Sequence, residues 1–141
     1  MEILNNYLKN WPLGIESAAE EKKILVIPPE QALKVIHGKN EKTKISFFIN
    51  CEKVHVGIMT LSQGRYTDSE VHKGDEVLWA LKGNIQVKVF ENEEDENSIF
   101  AENVFLVREN QKLLIPEGFK HQYFNLSAGN SEILFAIAPN F

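Results

Sequence analysis

Glu70, His72, Glu76 and His121 are the residues of this chain whose types and spacing could do metal chemistry. Glu70 and His72 are two positions apart, so an extended strand sends both side chains out on one face. Lys73-Gly74-Asp75 reads as a turn, and Glu76 opens an apolar run with the character of a buried strand. A strand, a tight turn and a returning strand can aim Glu70, His72 and Glu76 at one spot. Imidazole and carboxylate groups converging in this way are what a divalent metal requires. A carboxylate is rarely buried unpaired, so Glu76 asks for a metal or a cationic partner. A second stretch, from Pro116 to Asn125, has a Pro-x-Gly turn followed by an aromatic-rich strand that carries His121.

These two stretches resemble the paired motifs of the cupin superfamily. Gly64, His72, Glu76 and Gly83 stand at the spacing of the first motif, with Glu70 where the family usually has its first histidine. Pro116, Gly118, His121 and Asn125 match the second, with Asn110 in place of its leading glycine. The resemblance implies an all-β fold, a single antiparallel jelly-roll barrel with a metal bound inside. It covers residues 64–125, with 1–23 as an N-terminal extension of one domain, 1–141. It does not identify the reaction, because one fold hosts many chemistries.

His72, Glu76 and His121 alone make a two-histidine, one-carboxylate set, which suits non-haem iron and leaves coordination positions open. Adding Glu70 gives two nitrogens and two carboxylates and leans towards manganese or iron, with zinc and nickel not distinguished. One divalent transition metal is the expected cofactor, acting as a Lewis acid on a carbonyl or hydroxyl oxygen. Glu70 is either its fourth ligand or a catalytic acid/base beside it. Tyr123 and Asn125 share strand parity with His121 and are candidate substrate contacts, as are Arg65 and Tyr66 at the entry to the first motif. His37 and His55 lie outside the motifs and read as structural. Small cupins act on sugars and sugar acids as isomerases, epimerases and lyases, and others are dioxygenases. The first reading is therefore a metal-dependent enzyme on a small carbohydrate-like or keto-acid substrate. An iron dioxygenase and a non-catalytic metal or small-ligand binding module are the alternatives.

Composition sets the outer limits. At 141 residues the chain is long enough for a real core, with 43% hydrophobic and 25% charged residues. A net charge of -5 argues against a nucleic-acid partner. No apolar run is long enough to span a bilayer, and the first residues do not begin a signal peptide. One cysteine, Cys51, precludes an internal disulfide and fits a reducing cytoplasm.

The elements that must position the site follow from periodicity. Residues 2–10 pattern as a short helix, 15–22 as a polar loop, 24–27 as a short strand, and 29–33 as a Pro-first helical turn. Strands are expected at 44–49, 54–61, 76–81, 85–90, 104–107, 112–115, 120–124 and 133–138, with 85–90 pairing back on 76–81 and an acidic tip at 91–97. If Glu76 points inward, then Val77, Trp79 and Leu81 point out, and this apolar row suggests a homodimer or cover by Ile3, Leu4, Tyr7 and Trp11.

Overall fold

The computed structural model describes residues 10–90 and 103–139. The expected helix at 2–10 and the acidic tip at 91–97 lie outside the described residues. Among the described residues nine strands run antiparallel: β1 (Leu33–His37), β2 (Thr43–Asn50), β3 (His55–Leu61), β4 (Asp75–Lys82), β5 (Ile85–Phe90), β6 (Asn103–Val107), β7 (Lys112–Ile115), β8 (Lys120–Asn125) and β9 (Ser131–Ala138). They form a six-stranded sheet in the order β1-β2-β3-β9-β4-β7 and a three-stranded sheet in the order β6-β5-β8.

Alternation in the sequence decides which face each strand buries. In β4, Glu76, Leu78 and Ala80 are buried while Asp75, Val77 and Trp79 are exposed. In β2, Thr43, Ile45 and Phe47 turn inward, and in β3 His55, Gly57, Met59 and Leu61 do so. Both sheets contribute to one core, in which Phe47 and Phe135 of the larger sheet pack edge to face and Ile85 and Val87 come from the smaller. This is the expected all-β jelly-roll architecture. No helix among the described residues is long and apolar enough to cross a membrane.

Four local expectations are corrected. Residues 24–27 form no strand; Ile24 and Val26 are 97% and 90% exposed, and Pro28-Pro29 deny the segment backbone donors. Residues 15–20 are not a loop but a helix, α1 (Ile15–Glu20), in which the strong helix formers Ala18 and Ala19 outweigh the polar pattern and Ala18 is buried. The turn at Pro29–Gln31 is present as a 3-10 helix, but Leu33–His37 beyond it is an edge strand paired with β2. Finally, β5 does not pair back on β4. Both edges of β4 are occupied, by β7 and β9, so after Gly83 the chain crosses to the other sheet and β5 pairs with β6 and β8.

Candidate metal centre

The segment before β4 is held against β8 by backbone bonds, which sets the direction of every side chain in it. Glu70 and His121 exchange two N–H···O bonds of 2.9 Å, and the Thr67 amide donates to the Tyr123 carbonyl at 2.9 Å. Directly opposed residues of an antiparallel pair share a face. Glu70 and His121 therefore face inward together, whereas Tyr66 opposes Phe124 on the outer face. His72 follows on a loop, tied by its carbonyl to the Gly118 amide at 3.1 Å, and Glu76 enters from the start of β4.

His72, Glu76 and His121 meet in the interior. Oε2 of Glu76 lies 3.0 Å from Nε2 of His72 and 2.9 Å from Nε2 of His121, with all three side chains only 3–4% exposed. On the far side of each ring, Nδ1 of His72 lies 2.8 Å from the Gly74 carbonyl and Nδ1 of His121 lies 2.9 Å from the Phe119 carbonyl. A carbonyl only accepts, so each Nδ1 carries the proton. Burial works against charge on Glu76, yet hydrogen bonds and charge from His121 and His72 outweigh it and hold the carboxyl at about 2. Burial likewise disfavours the His121 imidazolium, and Glu76 reverses the balance and raises its affinity for a proton.

The proton count tests whether a cation belongs here. If Glu76 accepts hydrogen bonds from both Nε2 atoms while both Nδ1 atoms donate to carbonyls, each imidazole must be cationic. That would leave two buried positive charges against one carboxylate, an expensive arrangement. With a divalent metal, each imidazole is neutral, its Nδ1–H fixed by a carbonyl and its Nε2 lone pair directed at the ion. The donor atoms lie within 4.8 Å of one another, which fits one such ion. His72, Glu76 and His121 thus fit a metal site.

Beside this set opens a narrow cleft with a cavity volume of only about 10 Å³, room for about one water. His121 and Tyr123 form one wall, and His37, Asp68 and Glu70 another. The Tyr123 hydroxyl is fully buried and meets no partner at hydrogen-bonding geometry, although Glu76 is near enough to act on it. Burial first, then the Glu76 and Glu70 charges, push this phenol well above its ordinary range and keep it a neutral donor.

Glu70 stands apart from the donor set. Its Oε1 pairs with Nε2 of His37, brought across by β1. Glu70 is therefore not among the three donors that converge, and His37, expected to be structural, lines the cleft beside it. Asp68 reinforces the junction by accepting from the amides of Lys39, Asn40 and Glu41 at 2.6, 3.0 and 2.8 Å. Burial raises its carboxyl, but these bonds and the charge of His37 outweigh it and hold the group below the usual range. Gly38 makes the tight loop possible: its φ is 121°, and an added Cβ would fall 1.7 Å from the Glu41 carbonyl oxygen. Nothing local to His37 signals this pairing; only the β1–β2 register reveals it.

Of the expected substrate contacts, Tyr123 lines the cleft. Asn125 faces inward as its parity requires, but its amide is spent on structure. Nδ2 donates to the carbonyls of Leu61 and Gly129 at 2.9 and 2.7 Å, and Oδ1 accepts from the Ser127 amide and the Ser131 hydroxyl, both at 2.7 Å. Tyr66 is 43% exposed and stacks on Phe124 outside the smaller sheet, and Arg65 is exposed; neither lines the cleft. His55 is buried on β3 with Nδ1 donating to Asn50 Oδ1, a structural place.

No family model and no curated protein matches the sequence. Solved structures do match. An uncharacterised protein with a double-stranded β-helix domain from Klebsiella pneumoniae superposes with a TM-score of 0.61 at 13% identity, over 83% of this chain and 91% of that one. An RmlC-like cupin from Shewanella frigidimarina gives 0.60 at 12% identity, over 78% and 86%. An oxalate oxidase gives 0.51 at 18% identity, over 61% of this chain but only 42% of the other. At these identities the likeness is one of fold.

Proposed function

We propose that this chain, which has the cupin fold, holds one divalent transition metal on His72, Glu76 and His121 and acts as an enzyme on a small polar substrate. The reaction class we favour is isomerisation, epimerisation or elimination on a carbohydrate-like or keto-acid compound. The observation that carries this reading is the His37–Glu70 pair on the wall of the cleft that also exposes the His121 edge of the donor set. A bound divalent metal supplies Lewis acidity to a carbonyl or hydroxyl oxygen. The chain's own residues supply the rest. Glu70, oriented by His37, is placed to take a proton from a substrate carbon or hydroxyl. Tyr123, kept as a neutral phenol, is placed to donate a hydrogen bond to a developing negative oxygen. The buried walls limit water.

The donor set itself favours one second reading, a non-haem iron dioxygenase, because two histidines and one carboxylate leave positions open. Elemental analysis of the purified chain followed by a screen of sugars and keto acids with that metal restored tests the proposal. Turnover without oxygen consumption supports the isomerase or lyase, and oxygen uptake with turnover the dioxygenase. Metal binding with no turnover across the screen leaves a non-catalytic binding module. The same reading includes a small-molecule substrate, no nucleic acid or membrane partner, a homodimer and a cytoplasmic setting.

A further inference from the structure

A cleft with room for one water admits no organic substrate, because a pocket that buries a small molecule commonly holds about 300 Å³ or more. A substrate therefore reaches the donor set only if one wall moves. The walls are not equally fixed. Met59 comes from β3, which is paired on both sides, by β2 and β9. His121 and Tyr123 come from β8, paired with β5 on one side and bonded to segment 67–70 on the other. The wall formed by β1 is held differently, since among the described strands β1 has β2 as its one neighbour.

The last pair of the β1–β2 ladder is His37 opposite Thr43, and both residues line the cleft. Loop 38–42 joins them and so caps this wall. Its sequence, Gly-Lys-Asn-Glu-Lys, contains no apolar side chain, so no buried hydrophobic contact of its own fixes it. What holds it to the opposite rim is Asp68. Oδ2 accepts from the Lys39 and Asn40 amides at 2.6 and 3.0 Å, and Oδ1 from the Glu41 amide at 2.8 Å. The His37–Glu70 contact is the neighbouring tie. Few apolar contacts and backbone bonds near solvent mark a segment that opens locally while the rest of the fold stays intact.

We infer that loop 38–42, with the end of β1, is a flap over the donor set, latched by Asp68, and that its closure brings His37 onto Glu70. Asp68 is then a positioning residue: it seats the flap and touches no reacting atom. The inference rests on the function proposed above for the need to admit a substrate, but the flap itself requires no metal. The first test follows amide exchange by NMR on the full, chelated chain. The amides of Lys39, Asn40 and Glu41 should exchange together, slower than in a free peptide and about tenfold or more faster than those of β3. Asp68→Ala should speed these three by about tenfold or more and leave β3 unchanged, because even one hydrogen bond to a charged group is worth that factor. Asp68→Asn, which keeps the size and one acceptor oxygen, should give a smaller rise and decides the matter if the alanine variant does not fold. Exchange of the three amides only at the β3 rate, exchange at the free-peptide rate, or rates unmoved in Asp68→Asn overturns the inference. The second test follows transfer of Mn²⁺ from loaded protein to excess chelator. Both variants should release the ion faster, by about the factor seen in exchange, while saturating Mn²⁺ still fills about one site per chain. Unchanged release beside accelerated exchange would mean that the loop does not guard the site, and would also overturn the inference. Failure of the wild type to bind Mn²⁺ would count against the proposed metal centre, and the exchange rates would still decide the flap.

Discussion

His37 on the first strand and Glu70, 33 positions later, are joined side chain to side chain at the wall of the cleft. The contact ties β1, an edge strand, to the segment that leads into the donor set. If the pair works as one acid/base unit, Glu70→Gln and His37→Ala should each lower turnover on an identified substrate by roughly 10²–10⁴-fold. The double variant should fall no further than the worse single one, because residues acting as a unit are non-additive. Metal content should stay at the wild-type value in all three. Loss of metal in Glu70→Gln would instead make Glu70 a ligand.

The donor set makes the opposite demand. His121→Ala should drop occupancy from about one divalent ion per chain to near zero, because two donors do not hold the ion. Chelation of the wild-type protein should lower its melting temperature, since an ion present at a hundred times its Kd stabilises by about 2.7 kcal/mol. Full occupancy in His121→Ala, by elemental analysis, would remove this residue from the site.

His72, Glu76 and His121 were legible in the sequence because their positions are set locally. Each sits within a few residues of the turn or strand start that aims it, and spacing reports such geometry well. His37 was not legible, since its role arises from strand pairing across distant positions and its neighbours Gly38, Lys39 and Asn40 only announce a loop. The partner of β5 was misread for a related reason. Gly83-Asn84 has hairpin composition, and only the full occupancy of both β4 edges sends the chain to the other sheet. Asn125 shows the limit of parity, which gives the face a side chain takes but not the bonds it makes there.

Acid should weaken the fold through His55. Its burial, then the nearby charge of His72, lower it from 6.5 to about 4. Between these values the unfolded chain binds a proton that the folded chain refuses, so stability falls as pH falls. The contribution is complete above about pH 6.5 and lost by about pH 4, on the order of 3 kcal/mol at 1.36 kcal/mol per unit. Denaturant midpoints of chelated protein across this window should decline more in the wild type than in His55→Gln. Equal slopes would reject the assignment.

Asn125 is expected to matter for stability and not for chemistry. Asn125→Ala strips partners from two carbonyls, an amide and the Ser131 hydroxyl, and a buried polar group left unmade costs roughly 1–3 kcal/mol. Gly83→Ala strikes the same knot. Its φ is 76°, and the new Cβ would lie 2.6 Å from both Ser127 Oγ and Ser131 Oγ. Both variants should melt earlier while the folded fraction keeps its metal. Loss of metal from folded Asn125→Ala would tie this residue to the site.

Trp79 supplies the last prediction. Glu76 points inward, so Val77 and Trp79 point out, and they are 46% and 37% exposed. Lys112 lies over the Trp79 ring at 4.3 Å but leaves the row open. The register extends it: Leu114 stands beside Val77 on β7, and Leu134 and Ala136 stand beside Trp79 and Val77 on β9. Trp11 does not cover this face, because it is held at the Asn50 backbone and donates Nε1–H to the Gln31 carbonyl at 2.7 Å. A contiguous apolar face of this kind favours packing against a second copy. Light scattering at micromolar concentration should give a mass near twice 16.1 kDa, and Trp79→Glu should return it to 16.1 kDa without loss of metal. A wild-type mass of 16.1 kDa would end the dimer reading.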